Sequence, residues 1–183
     1  MWRLIGITTD DNNCSKAEVE AIIHLLEDGK LDLFHIRKPF MDAKQTRDYL
    51  SLFPAAMRER LALHDHYNLA AEMGIGGINI NNRNSEIDIS YWNGRLSFSC
   101  HSVEEVAFFK SKADYVLLSP IFDSNSKPEY KSAFTLGQLQ NAKQQGTIDQ
   151  KVIALGGVSE ERFEVLKALG FGGAALLGSL WKK

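Results

Sequence analysis

The chain has 183 residues, 44% hydrophobic and 24% charged, with a net charge of −2. This is the composition of an ordinary globular protein, long enough for one domain with a sizeable core over 1–183. It gives no general attraction to nucleic acid or to an anionic membrane, so any anion site must be local. No run approaches the roughly 20 apolar residues of a membrane span, and the first residues lack a signal-peptide pattern. Two cysteines, Cys14 and Cys100, suit a reducing cytoplasm better than a disulfide framework.

Short apolar, β-branched runs alternate with segments of helical spacing. Residues 4–8 read as a first strand. Ser15 caps a helix with Val19, Ile22, Ile23 and Leu26 on one face, and Gly29 ends it. A second strand is expected over 31–37, followed by a helix capped by Asp42 that runs toward Phe53. Residues 61–63 form a third strand, 67–73 a helix stopped by Gly74, and 77–80 a fourth strand. The Asn- and Ser-rich stretch 81–95 lacks the pattern of a full helix. A fifth strand at 96–100 leads to a helix over 103–111, with Ser102 as cap and Glu105 as its capping-box partner. Strands at 115–118, 152–155 and 173–177 alternate with helices at 135–144 and 160–169. Eight strands alternating with helices in one domain point to a single-domain (β/α)8 TIM barrel. The chain is short for that fold, so helices near 81–95 and at the C-terminus should be trimmed. A doubly wound open sheet is the alternative.

In a barrel the active site gathers at the C-terminal ends of the strands. Arg37 stands at the second such end and requires an anion or a carboxylate, for which Asp65 is a candidate. By strand parity Asp65 faces inward, whereas His64 and His66 lie on the opposite face as partly exposed packing histidines. On the fifth strand Ser97, Ser99 and His101 share a face, and Cys100 points away. The ordinary pKa of histidine suits proton transfer, which makes His101 a candidate acid or base. The stretch 119–128 places Ser124, Asn125, Ser126 and Lys127 between prolines, an arrangement of hydroxyls, amide and ammonium that can hold an anion. Gly156-Gly157 and Gly178-Ser179 follow the seventh and eighth strands, where barrels often bind phosphate.

In their order and spacing these residues resemble the thiamin phosphate synthase (thiamin phosphate pyrophosphorylase) and thiazole tautomerase family. The similarity runs from about Leu4 to Leu180. It rests on Ile7-Thr8-Thr9-Asp10, His35-Ile36-Arg37, His64-Asp65, Gly77-Ile78-Asn79-Ile80 and Ser97-Phe98-Ser99-Cys100-His101-Ser102. Ala113-Asp114-Tyr115-Val116, Ser119-Pro120-Ile121-Phe122, Ser124-Asn125-Ser126-Lys127, Ile153-Ala154-Leu155-Gly156-Gly157-Val158 and Gly172-Gly173-Ala174 complete it.

The synthases of the family join an aminopyrimidine diphosphate to a thiazole phosphate with loss of pyrophosphate, using Mg2+. The resemblance implies substrate binding by His35, Arg37, Ser99, Ser124, Ser126, Lys127, Gly156, Gly157, Gly178 and Ser179, and Mg2+ at Asp65 in a synthase. The family has glutamine at His35, a pyrophosphate-binding lysine at Pro39 and a second metal-binding aspartate near Asn84, so this chain departs from the pattern at all three. His101 falls where the tautomerase branch carries its proton-transferring histidine. These losses imply a tautomerase-like isomerase that needs no cofactor. A full synthase is the alternative, and a non-catalytic thiazole-phosphate-binding regulator a further one. The expected partners are small molecules rather than nucleic acid or membrane. The expected location is the cytoplasm, and a homo-oligomer is compatible with the sequence.

Overall fold

In this computed structural model, which describes residues 2–11, 14–123 and 131–181, eight strands follow one another in chain order round a closed barrel. They are β1 (Arg3–Ile7), β2 (Leu33–Ile36), β3 (Leu61–Leu63), β4 (Gly77–Ile80), β5 (Arg95–Cys100), β6 (Tyr115–Leu118), β7 (Val152–Ala154) and β8 (Gly173–Leu176). Between them run α1 (Lys16–Glu27), α2 (Ala43–Ser51), α3 (Ala55–Arg58), α4 (Asn68–Met73), α5 (Val103–Phe109), α6 (Leu136–Gln144) and α7 (Phe163–Ala168). The TIM barrel expected from the alternation is therefore the fold, and the open sheet is not. The trimming also falls where it was expected. Residues 81–95 hold one 3-10 turn, Asn82–Asn84, and no helix follows β8 among the described residues. None of the described helices is long and apolar enough to cross a membrane.

The chain divides into two compact units, Gly6–Leu96 and Met1–Ile5 with Ser97–Lys183. In the first, Phe34 of β2 is in register with Leu61 of β3, and Leu63 with Ile78 of β4. All four residues of β2 are buried, as in parallel strands covered on both faces, so the run does not alternate. The strand is shorter than the expected 31–37 because the Arg37 N–H leaves the ladder and donates to Thr8 Oγ1 (2.8 Å). Helix α1 begins where the Glu18 N–H donates to Ser15 Oγ (3.1 Å), and it buries Val19, Ile22 and Leu26 while Ile23 is half-buried. Asp42 and Gln45 close a capping box on α2.

In the second unit, Leu117 of β6 pairs with Ile153 of β7, and Ile153 with Gly173 of β8. Ser102 caps α5 as expected, its Oγ accepting from the Glu105 N–H (3.1 Å). The expected capping box is different in detail. The Glu105 carboxylate accepts from the backbone N–H of His101, one residue before the cap (2.5 Å). The expected helix over 160–169 splits into a 3-10 turn, Glu160–Arg162, and α7.

Candidate active site

Within Gly6–Leu96 the polar groups sit at and just beyond the C-terminal ends of β1 to β4. Thr8, wholly buried, fixes the end of β2, since its hydroxyl accepts from the Arg37 N–H and donates to the Arg37 carbonyl (3.1 Å). The Arg37 guanidinium lies 3.6 Å from Asp10, and both side chains are partly exposed. Its carboxylate partner is thus Asp10 and not Asp65, because β3 stops at Leu63 and strand parity does not carry to residue 65. Lys38, beside Pro39, is buried and donates to Asp11 (3.0 Å) and Glu18 (3.1 Å). It is committed to an internal ion cluster that Tyr49 extends by donating to Glu18 (2.7 Å).

His35 and His64 are both buried, with His35 Nδ1 2.8 Å from His64 Nε2. The amide nitrogen of Asn79 lies 3.4 Å from His64 Nδ1. An amide N–H can only donate, so His64 Nδ1 accepts, Nε2 carries the hydrogen, and His35 Nδ1 accepts in turn. Burial lowers the pKa of His35 to about 3, with the charge of Arg95 adding to the effect. Burial first, then His35, Arg37 and Arg83, lowers that of His64. Both rings are therefore neutral, and His64 is not the partly exposed packing residue expected. His66 is half-buried and donates from Nε2 to the Met41 carbonyl (2.8 Å).

Asp65 faces a donor set. Arg83 Nη2 reaches both carboxylate oxygens (3.1 Å each), and Asn84 Nδ2 donates to Oδ1 (3.0 Å). Asn84 Nδ2 also donates to the His64 carbonyl (3.2 Å), which fixes its NH2 group toward Asp65. A magnesium ion is held by oxygen acceptors, whereas here a guanidinium and an amide donor already cap the carboxylate. No group of three His, Cys, Asp or Glu side chains that could hold a metal exists among the described residues. The donors around Asp65 do not fit Mg2+.

Within the second unit His101 is exposed at the end of β5. Its Nδ1 lies 3.1 Å from the Ser119 carbonyl, an acceptor, so Nδ1 carries the hydrogen and Nε2 is the basic nitrogen. Ser119 is itself fixed by its N–H to the Cys100 carbonyl (3.0 Å). Ser99 is half-buried, and burial raises the pKa of Cys100 to about 12, with Glu105 adding to the effect.

The Gly156-Gly157 turn has φ of +90° and +62°. A Cβ on Gly156 would lie 2.7 Å from Pro120 Cα, and one on Gly157 2.4 Å from the Asp123 carbonyl oxygen. Residues 120–123 therefore lie against the glycine turn, with Phe122 N–H donating to the Gly156 carbonyl (3.0 Å). Arg162 adds a bond to the Gly157 carbonyl (2.7 Å) and covers the Phe122 ring. Gly178 and Ser179 are exposed, and the Ser179 hydroxyl donates to the Val158 carbonyl (2.9 Å). Ser132 holds the far side of the same loop through the Ile121 carbonyl (2.7 Å). Ser124, Ser126 and Lys127 lie outside the described residues.

Sequence reasoning assigned no role to Thr8, Asp10 or Arg83. Arg83 had a signal, being the single positive charge in the polar stretch 81–94. Thr8 and Asp10 stand in the Ile7-Thr8-Thr9-Asp10 motif of the resemblance, but a buried threonine at a strand end reads by itself only as β-propensity.

Residues 4–180 match the model of a family described as thiamine monophosphate synthase. The chain is similar to the solved thiamine phosphate pyrophosphorylase of Bacteroides thetaiotaomicron, 38% identical over 98% of this chain and 84% of the other, with a TM-score of 0.82. It is 22% identical to the thiamine-phosphate synthase of Bacillus mycoides over 92% of this chain and 81% of that protein. The thiamine phosphate pyrophosphorylase of Pyrococcus furiosus shares the fold, with a TM-score of 0.74 at 20% identity over 96% of this chain and 85% of the other.

Proposed function

Because the chain belongs to the thiamine monophosphate synthase family, we propose that it works as a transferase, joining an aminopyrimidine diphosphate to a thiazole phosphate and releasing pyrophosphate. The similarity to the Bacteroides thetaiotaomicron pyrophosphorylase carries the reading, since it spans 98% of the chain at 38% identity. It supports the synthase over the metal-independent isomerase that the charge losses at Pro39 and Asn84 imply.

The C–O bond between the pyrimidine's methylene group and the diphosphate breaks, the diphosphate leaving with the electron pair, and the lone pair of the thiazole ring nitrogen forms the new C–N bond to that methylene carbon. Fixed positive groups lower the barrier to that departure. Arg37, with its side chain 31% exposed, and Arg83, 45% exposed, can meet an anion while their partners orient them. Thr8 holds the Arg37 backbone in place. The second substrate's phosphate is assigned to Gly156, Gly157, Gly178 and Ser179, with Ser124, Ser126 and Lys127 as further anion ligands. His35, a wholly buried ring paired to His64, shapes the end of β2 rather than touching substrate. Mg2+ would reach the reaction only as the counter-ion of the diphosphate, since the groups around Asp65 do not fit it.

The test mixes the purified protein with aminopyrimidine diphosphate, thiazole phosphate and Mg2+, and measures thiamin phosphate and pyrophosphate. Stoichiometric formation of both is expected, and Arg37→Ala should lower kcat by about 10²- to 10³-fold. One observation favours a second reading, the tautomerase. His101 presents Nε2 as a base, with Nδ1 tied to Ser119. Isomerisation of the thiazole carboxylate phosphate without condensation, lost in His101→Ala, would replace the synthase reading. Tight thiazole-phosphate binding with neither turnover would instead select the regulator.

A further inference from the structure

The stretch after β4 builds more than a connection. His64 turns its carbonyl toward it and accepts from Tyr67 Oη (3.0 Å), Asn81 Nδ2 (2.7 Å) and Asn84 Nδ2 (3.2 Å). The single Tyr67 O–H is shared between that carbonyl and the Asn79 carbonyl (2.7 Å), and the Arg83 N–H donates to Asn81 Oδ1 (3.0 Å). The 3-10 turn Asn82–Asn84 is thus stapled to the end of β3, and its one cation is delivered to Asp65. Three contacts from two donors, the guanidinium and the amide N–H, already occupy most of the roughly four lone-pair positions of the Asp65 carboxylate. The same grip orients the arginine. A guanidinium has five N–H donors, the bonds to Asp65 use Nη2 alone, and the side chain is 45% exposed.

We propose that Arg83 supplies at Asp65 the positive charge that a divalent cation would bring, and that it is a diphosphate-binding residue of this site. Asp65 is then the carboxylate that orients an arginine, not a metal ligand. Asn84 serves the same purpose, because an aspartate there would repel the Asp65 carboxylate and draw Arg83 away. The inference deepens the transferase reading and rests on it for the choice of diphosphate as the anion.

Two titrations of the full chain test it, both without turnover. Inorganic pyrophosphate is titrated calorimetrically in EDTA into the wild type, Arg83→Ala and Arg83→Lys. Metal-free binding is expected, weakened at least tenfold in Arg83→Ala, about 1.4 kcal/mol, and partly restored in Arg83→Lys. A lysine keeps the charge but loses the planar fork. Mn2+ binding is followed by electron paramagnetic resonance in the wild type and Asp65→Asn, and the two should not differ. Absence of metal-free pyrophosphate binding, an unchanged affinity in Arg83→Ala, or Mn2+ binding that Asp65→Asn weakens tenfold each overturns the proposal. If both titrations come out as expected while no condensation is found, the transferase reading fails and the diphosphate site stands.

Discussion

At the scale of single residues, the His35–His64 pair joins the strand-end chemistry to stability. Each ring is buried and neutral, and a proton on His35 would set two N–H groups face to face. Unfolded histidines take up protons near pH 6.5, whereas folded His35 does so only near 3, and the folded pKa of His64 is also lowered. A depressed folded pKa means that the unfolded chain binds more protons below pH 6.5. The pair's contribution is therefore fully present above that pH and lost as pH falls. The slope is about 1.4 kcal/mol per pH unit for each histidine. Between pH 6.5 and 5 most carboxylates have yet to titrate, so urea midpoints in that window should fall steeply, and more shallowly in His35→Asn. An equal slope in the variant would show that His35 does not titrate as described.

At the scale of elements, strand and helix positions were legible because a barrel repeats one pattern eight times and its caps are local. Ser15, Asp42 and Ser102, each read as a cap, stand before a helix and accept a backbone N–H, and Thr135, read as the first residue of its helix, is a cap as well. Strand ends were harder to read. Parity holds only while the ladder continues, and it failed at Asp65 because β3 ends at Leu63. The partners of Arg37 and Asp65 come from other elements, which spacing along one strand does not reveal. The glycine turn after β7 was found for one reason and has a second. Phosphate approach was the expected role, but the contact with residues 120–123 demands glycine without any ligand. Gly157→Ala places a Cβ 2.4 Å from the Asp123 carbonyl oxygen at φ +62°. It should cost about 2 kcal/mol or more in stability measured on the ligand-free protein. A variant with unchanged melting and only a raised KM for thiazole phosphate would restore the phosphate-only role.

At the scale of the whole molecule, one domain over 1–183 is the reading we propose, although the chain forms two compact units. The boundaries between the units fall inside strands. Ile5 and Gly6 are consecutive residues of β1, and Leu96 and Ser97 of β5. Melting one unit alone would strip half of a continuous strand from its ladder, so neither should open independently. The three tryptophans provide separate reporters, Trp92 in the unit Gly6–Leu96, and Trp2 and Trp181 in the other. Fluorescence melts of Trp92→Phe and of a Trp2→Phe/Trp181→Phe double variant should share one midpoint. At about 0.7 kcal/mol per residue near 60 °C, unfolding in one step corresponds to an enthalpy of roughly 130 kcal/mol, whereas the first unit alone corresponds to roughly 60. A van't Hoff enthalpy that equals the calorimetric one marks a single cooperative unit. Two midpoints, each with a transition of about half that sharpness, would divide the chain into two domains.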